Sequence, residues 1–212
     1  MYSVKEIYFT IQGEGRNTGQ AAVFLRFTGC NLWSGLESDR AKATCQFCDT
    51  DFVGTDGPGG GKFGSAEELA QAAHRVWCEH QFNGAQPYVV CTGGEPLMQL
   101  DQALVNALHS LGFEIALETN GTLSAPRDID WLCVSPKAGT DLAISEGTEL
   151  KLVFPQKGAE PELYEHLDFQ HFYLQPMDGL QKEENTRRAI DYCKAHPSWK
   201  LSLQTHKILG LP

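Results

Sequence analysis

Seven short runs rich in β-branched and aromatic residues recur along the chain and constrain its fold more than any other feature. They are "AVFLRF" (22–27), "YVVCT" (88–92), "EIALET" (114–119), "WLCVS" (131–135), "ELKLVF" (149–154), "HFYLQ" (171–175) and "KLSLQ" (200–204). Helical patterns stand between several of them. "SAEELAQAAHRVWCEHQ" (65–81) opens on Ser65 with Glu68 three residues later, a capping box. "LMQLDQALVNALHSLG" (97–112) ends on Gly112, and "KEENTRRAIDYCKAH" (182–196) is acidic first and basic last, as the helix dipole prefers. Such alternation implies an α/β fold with a mainly parallel sheet wrapped by helices. A complete eight-fold barrel takes about 250 residues. Here the chain has 212, about a sixth of them in a cysteine- and glycine-rich loop near 29–64, so a partial barrel of six or seven mainly parallel strands is expected. Helices should be missing from the links 119–131 and 135–149, and the N-terminal "EIYFTI" should add a hairpin strand. One catalytic domain over 1–212 is expected.

In a parallel barrel the site forms at the carboxyl ends of the strands. "TGGEP" follows the strand at 88, "ETNG" the one at 114, "SPK" the one at 131, "QPMD" the one at 171 and "QTHK" the one at 200. Any one of these could be plain turn chemistry. Five of them, all carrying polar side chains on the expected face, point to one mouth, which the cysteine segment after the strand at 22 should share.

Seven cysteines without a secretory pattern disfavour a disulfide scaffold and favour metal or redox chemistry. Cys78, Cys91, Cys133 and Cys193 sit in apolar or helical patterns and read as small buried hydrophobes. Cys30, Cys45 and Cys48 have three readings. A structural zinc site needs a fourth ligand, which no second C-x-x-C or H-x-x-H pair supplies. A redox pair explains "CQFC" and leaves Cys30 idle. An iron-sulfur cluster on three thiolates leaves one iron open to chelate a small molecule. The glycine stretch "GTDGPGGGKFG" (54–64) reads as a flexible surface loop; it fails as a phosphate-binding loop because Phe63 follows Lys62. "IQGEGRNTG" likewise fails as a dinucleotide fingerprint. A net charge of −10 argues against nucleic-acid binding, and the apolar runs fall short of a membrane span, so a cytoplasmic location is expected.

With Phe47 directly before the last of the three cysteines, the segment resembles the radical S-adenosylmethionine (SAM) superfamily. The usual C-x3-C-x2-C appears here with fourteen residues in its first interval, and that polar insert, "NLWSGLESDRAKAT", is expected to form a small helical excursion. "IQGEG", Arg26, "CDT", "TGGEP", "ETNG", "SPK" and "QPMD" together resemble the family of 7-carboxy-7-deazaguanine synthases over nearly the whole chain. The resemblance implies a modified radical SAM core, a [4Fe-4S] cluster, SAM and Mg2+. It also implies a lyase in queuosine and deazapurine biosynthesis: a 5'-deoxyadenosyl radical takes a hydrogen from C6 of 6-carboxy-5,6,7,8-tetrahydropterin, then the ring contracts and ammonia leaves. On that resemblance Cys30, Cys45 and Cys48 hold the cluster and Thr50 holds Mg2+. Phe47, Cys48, Asp49, Gly93, Gly94, Glu118, Asn120, Ser135, Pro136, Lys137, Gln175, Pro176, Met177 and Asp178 surround SAM. Ile11, Gln12, Gly13, Glu14, Arg26, Thr92, His206 and Pro212 face the pterin. A homodimer and an electron donor such as flavodoxin are further implications.

The chemistry of the residues agrees with these roles. Glu14 can accept from the guanidine-like edge of a pterin, and Arg26 can clasp a carboxylate through two parallel hydrogen bonds. Each also has a plainer reading: Arg26 as an outward strand residue, Gln12 and Glu14 as turn residues, Thr50 as a helix cap. The six residues after His206 should fold over the site so that the carboxylate of Pro212 touches substrate. A glycyl-radical activase or a zinc-binding module would be the competing functions.

Overall fold

The computed structural model describes residues 1–80 and 84–212. Nine strands form one sheet in the order β3-β1-β2-β4-β5-β6-β7-β8-β9. They are β1 (Tyr2–Ile11), β2 (Ala21–Phe27), β3 (Gly61–Phe63), β4 (Tyr88–Gly93), β5 (Glu114–Thr119), β6 (Trp131–Val134), β7 (Glu146–Phe154), β8 (Asp168–Pro176) and β9 (Trp199–Leu201). From β2 through β9 every neighbouring pair is parallel, which makes seven parallel strands. β1 closes an antiparallel hairpin on β2, with Ile11 opposite Ala21 and Ile7 opposite Leu25. The sheet stays open between β3 and β9, so the architecture is the expected partial barrel.

Three helices cover it where the patterns place them: α1 (Ala66–Cys78), α2 (Gln102–Ser110) and α3 (Lys182–Ala195). Ser65 caps α1 by accepting from Glu68 N, while the Glu68 carboxylate accepts from Gly64 N. The expected helix at 65–81 therefore ends by Cys78, and its last position, Gln81, lies outside the described residues. The pattern at 97–112 proves to be two pieces. A single 3-10 turn, Pro96–Met98, precedes α2, because Asp101 caps the new helix by accepting from Leu104 N at 3.0 Å. As expected, no helix forms in the links between β5 and β7.

Three segments depart from expectation. The glycine stretch is fastened rather than free: Gly61 to Phe63 pair with Val4 to Tyr2, and Ile7 N donates to Pro58 O at 2.7 Å. Its glycines make that approach possible, since a Cβ at Gly60 would lie 2.2 Å from Lys5 O. The last strand stops at Leu201 instead of running to 204, and a short helix α4 (Thr205–Leu209) follows. Of the four cysteines read as buried hydrophobes, Cys91 and Cys133 are buried, but Cys193 is half-buried and Cys78 is exposed beside His74 at the end of α1.

Alternation along the strands sorts their side chains. On β7, Leu150 and Leu152 join the apolar layer beneath α3 with Val134, Leu174 and Trp199, while Glu149 and Lys151 point to the barrel interior. α1 and α2 cover the other half of the sheet with Leu69, Ala73, Trp77, Leu104 and Leu108 against Val23, Leu25, Val89 and Ile115. Leu97, Ala125 and Leu132 touch both layers. Each such fully buried Leu, Ile or Phe stabilises by roughly 1.5–3 kcal/mol, and together they make the strand ends a fixed rim.

Candidate functional site

A cavity of about 360 Å³ opens at the carboxyl ends of the strands. Its wall is built from the β1–β2 loop, the cysteine loop, the ends of β4 to β8 and the C-terminal segment. Of the expected site residues, all but Pro136 and Met177 line it. Those two lend their backbones to neighbours: Pro136 O accepts from Gln156 Nε2, Met177 N donates to Phe154 O, and Met177 O accepts from Asn185 Nδ2.

Cys30, Cys45 and Cys48 face one side of the cavity. The insert between them does form a helical excursion, a 3-10 turn at Glu37–Lys42, and it works as a strut. Arg40 donates from Nη1 to Gln46 O at 3.0 Å and Cys48 O at 3.1 Å, and its guanidinium lies 4.0 Å from the centre of the Trp33 ring. Trp33 in turn packs edge-on to Phe52 at 5.6 Å. A hydrogen bond from Cys45 lowers Cys48 to about 6 and pushes Cys45 itself up, so the pair is disposed to carry a thiolate. Among the described residues, no three His, Cys, Asp or Glu side chains gather into a cage for a single metal ion. Three soft thiol donors bordering an open cavity are instead the donor set of a cluster with one free iron. Gly93 and Gly94 bring the turn after β4 against this loop; a Cβ at Gly93 would lie 2.3 Å from Phe27 O.

The turn is locked from behind by Glu95, which is fully buried. Its carboxylate accepts from Leu97 N at 2.9 Å, Thr119 Oγ1 at 2.7 Å and Asn120 N at 2.8 Å, which ties the end of β4 to that of β5. Burial pushes its pKa up, and these three donors work against that. The Asn120 side chain reaches across to Asn31 of the cysteine loop at 3.0 Å. Lys137, whose pKa burial lowers, lines the same side and is bound to Ser135 Oγ at 2.7 Å.

The deeper part of the cavity is polar. Gln12 is buried and donates from Nε2 to Glu118 Oε1 at 3.0 Å, while its Oε1 accepts from Glu14 N at 3.0 Å. Lys151 Nζ lies 2.7 Å from Glu14 Oε2 and 3.3 Å from Glu118 Oε1. Burial alone would raise Glu14, but Lys151, Gln204 and His206 outweigh it and hold its pKa at about 2. Arg26 is turned inward; it donates to Glu6 Oε1 at 2.7 Å and to the Tyr8 hydroxyl at 2.8 Å, so the outward-facing reading does not apply. Thr50 caps no helix, since none begins after it, and it borders the cavity between Asp49 and Asp51.

α4 closes the rim. Thr205 donates from both N and Oγ1 to Gly13 O at 2.9 Å, and Lys207 bridges Asp49 and Asp178 at 2.5 Å each. Gly13 has no alternative here, because a Cβ would lie 2.3 Å from His206 Nδ1. The Thr10 hydroxyl donates to Pro212 O at 3.5 Å, which brings the end of the chain to the cavity wall. Sequence reasoning passed over Tyr8, Trp33 and Lys151 and placed Gln204 at the mouth without a role of its own. A signal for Lys151 was available: charged Glu149 and Lys151 alternate with Leu150 and Leu152, a pattern of two-sided burial with a polar interior.

The model of the Radical SAM superfamily matches residues 39–200. The chain is 61% identical over 211 residues to the 7-carboxy-7-deazaguanine synthase of Caulobacter vibrioides, covering 100% of this chain and 99% of that protein. It is 60% identical to the protein of that name from Bordetella pertussis, with the same coverage, and 36% identical to the one from Bacteroides thetaiotaomicron over 100% and 99% of the two chains. The crystal structure of QueE from Escherichia coli superposes with a TM-score of 0.69 at 25% identity, over 95% of this chain and 93% of that one.

Proposed function

Because this chain belongs to the radical SAM superfamily and, within it, to the family of 7-carboxy-7-deazaguanine synthases, we propose a residue-level account of how its cavity serves that family's reaction. The protein is a radical SAM enzyme of deazapurine biosynthesis that converts 6-carboxy-5,6,7,8-tetrahydropterin to 7-carboxy-7-deazaguanine. When bound, the [4Fe-4S] cluster and SAM supply the electron and the 5'-deoxyadenosyl radical that takes the hydrogen from C6 of the pterin, after which the ring contracts and ammonia leaves.

In this account Cys30, Cys45 and Cys48 hold the cluster. The single observation that carries it is that one cavity at the strand ends is lined both by these three thiols and by Gln12, Glu14, Arg26 and Lys151. On the thiol side, Phe47, Asp49, Gly93, Gly94, Ser135, Lys137, Gln175, Pro176 and Asp178 enclose SAM, with Pro136 and Met177 supporting them through backbone contacts. Glu118 and Asn120 meet the ribose hydroxyls. Glu118 Oε2 has no hydrogen-bond partner among the described residues, which leaves it available to a ligand. On the polar side, Ile11, Gln12, Gly13, Glu14, Arg26, Thr92, His206 and Pro212 receive the pterin. Glu14 accepts from its amino and ring N–H groups, and Arg26 meets its carboxylate with the donors not engaged by Glu6 and Tyr8. α4 and the Lys207 bridge exclude water from the rim.

Thr50 supplies an oxygen ligand to Mg2+, a hard cation. Residues 1–212 act as one catalytic unit, paired as a homodimer in the cytoplasm and reduced by a flavodoxin-type donor. No helix among the described residues is long and apolar enough to cross a membrane. The test is mass spectrometry of an anaerobic reaction containing reconstituted protein, reductant, SAM, Mg2+ and 6-carboxytetrahydropterin. Formation of 7-carboxy-7-deazaguanine, lost in Cys48→Ala, is expected; 5'-deoxyadenosine without that product would refute the substrate assignment.

A further inference from the structure

We propose that Lys151 is a positioning residue for the pterin: it fixes Glu14 as an oriented, ionised acceptor and ties it to Glu118 on the nucleoside side. The inference rests on the pterin reading above. Lys151 is a buried lysine on the cavity wall, and three acidic side chains surround it. Glu118 comes from β5, Glu14 from the β1–β2 loop and Glu149 from β7 itself, two residues before the lysine. Burial pushes its pKa down, and those groups more than reverse that, so it stays a cation.

Its effect on Glu14 follows from hydrogen-bond geometry. Lys151 occupies Oε2 and Gln204 occupies Oε1, which fixes the plane of the carboxylate. Each oxygen accepts two hydrogen bonds, so each retains one position for a ligand N–H. Paired N–H donors on the amino-pyrimidine edge of a pterin fit such an acceptor only while it is ionised; a protonated Glu14 would present a donor to a donor. Without the lysine cation, Glu14, Glu118 and Glu149 would be three acids in one buried space. Burial and neighbouring negative charge both disfavour an ionised carboxylate, so Glu14 would lose what holds it ionised. His206 is the other titratable group close to Glu14, and it arrives from α4; Lys137 is a more distant cation at the end of β6. The remaining Glu118 lone pairs face the cavity, so the same ammonium holds an acceptor on each side of the reacting atoms.

The test uses the reconstituted holoenzyme. Binding of 6-carboxypterin, an oxidised analogue that cannot react, is followed by fluorescence quenching with SAM present, and KM values for the tetrahydropterin and SAM are measured alongside. Lys151→Met should weaken pterin binding by roughly 30-fold or more, the cost of removing one partner from a buried ion pair, with a much smaller change in KM for SAM. Binding by the variant should also fall more steeply than that of the natural protein as pH is lowered through the mildly acidic range. Glu14→Gln and the double variant Glu14→Gln/Lys151→Met should be equally impaired, because the lysine acts through the glutamate. Lys151→Arg, which keeps the cation, should restore part of the affinity. If the methionine variant does not fold with its cluster, Lys151→Gln carries the same comparison, since it retains hydrogen-bonding capacity without charge. Pterin affinity and pH profile unchanged in the neutral variant that folds would overturn the proposal. If the natural protein neither binds 6-carboxypterin nor turns over the tetrahydropterin, the functional reading itself falls, and the proposal with it.

Discussion

Replacing Gly94 with Ala tests how tightly the turn after β4 is packed against the cluster loop. A Cβ at Gly94 would lie 2.1 Å from Gly29 O and 2.9 Å from the Cβ of Cys30. Neither neighbour is a flexible side-chain end, so the added methyl must separate the two backbones. Two hydrogen bonds cross that gap, Glu95 N to Gly29 O at 2.9 Å and Gly94 N to Phe27 O at 3.3 Å. Losing a buried backbone bond while leaving its groups unpaired costs about 1–3 kcal/mol. With both affected, the expected destabilisation is about 2–6 kcal/mol, and at about 2–4 °C per kcal/mol for a chain of this length the Tm should fall by about 4–24 °C. Because Cys30 follows Gly29, the displacement also moves a proposed cluster ligand, so iron and acid-labile sulfide per chain should fall in parallel. Calorimetry and iron analysis of anaerobically reconstituted protein read both effects. A variant with full iron content and a Tm within about 1 °C of the natural protein would refute the close-packing account.

Other perturbations separate support from chemistry. Arg40→Ala removes the donor to Gln46 O and Cys48 O, and the cluster absorbance should bleach several-fold faster under a chelator. Glu95→Ala strands Leu97 N, Asn120 N and the Thr119 hydroxyl in the interior. It should cost about 2–4 kcal/mol in urea unfolding, with Glu95→Gln closer to the natural protein. Glu14 titrates near 2 in the folded chain against an ordinary 4.5, so the unfolded chain takes up its proton first as pH falls. Its stabilisation is complete above about 4.5 and is lost between there and about 2, an effect on the order of 3 kcal/mol. Denaturant midpoints of the metal-free chain should therefore show an acid limb that is reduced in Glu14→Gln; equal limbs would contradict the Lys151 pairing.

Most strands were legible because each is a local run with a clear pattern, and the helices between β2 and β4, β4 and β5, and β8 and β9 imply parallel pairing there. β3 was not legible, because three residues that include a glycine carry no alternation, and their partners at Tyr2 to Val4 lie nearly sixty residues away. The run "KLSLQ" kept its alternation past Leu201, yet Ser202 turns its hydroxyl to Gly15 N and Gln175 Oε1, and Thr205 binds Gly13 O. A tertiary contact overrode the local pattern. The same division runs through the site. Residues in turns at strand ends, such as Gly94, Asn120 and Ser135, were readable because the fold class dictates which end of each strand faces the cavity. Tyr8, Lys151 and Trp33 reach the cavity from inside a strand or loop. Which way such a side chain points depends on register, and no local signal announces it.

The long insert between Cys30 and Cys45 shows why spacing alone is a weak guide to a cluster site. Thr44 N and Cys45 N both donate to Leu32 O, at 3.1 and 3.4 Å, so the insert leaves and returns at one point and closes on itself. Loop-closure entropy grows only logarithmically, and lengthening an interval from three residues to fourteen costs about 1.4 kcal/mol. One well-placed contact offsets that, and Arg40 supplies several: bonds to the carbonyls of Gln46 and Cys48, a pair with Glu37 and a position over Trp33. The insert thus contributes rigidity to the segment carrying Cys45 and Cys48 while leaving their separation unchanged. A three-thiol site survives such an insertion because the rim, set by β2, Gly94 and Glu95, fixes where the loop must come back.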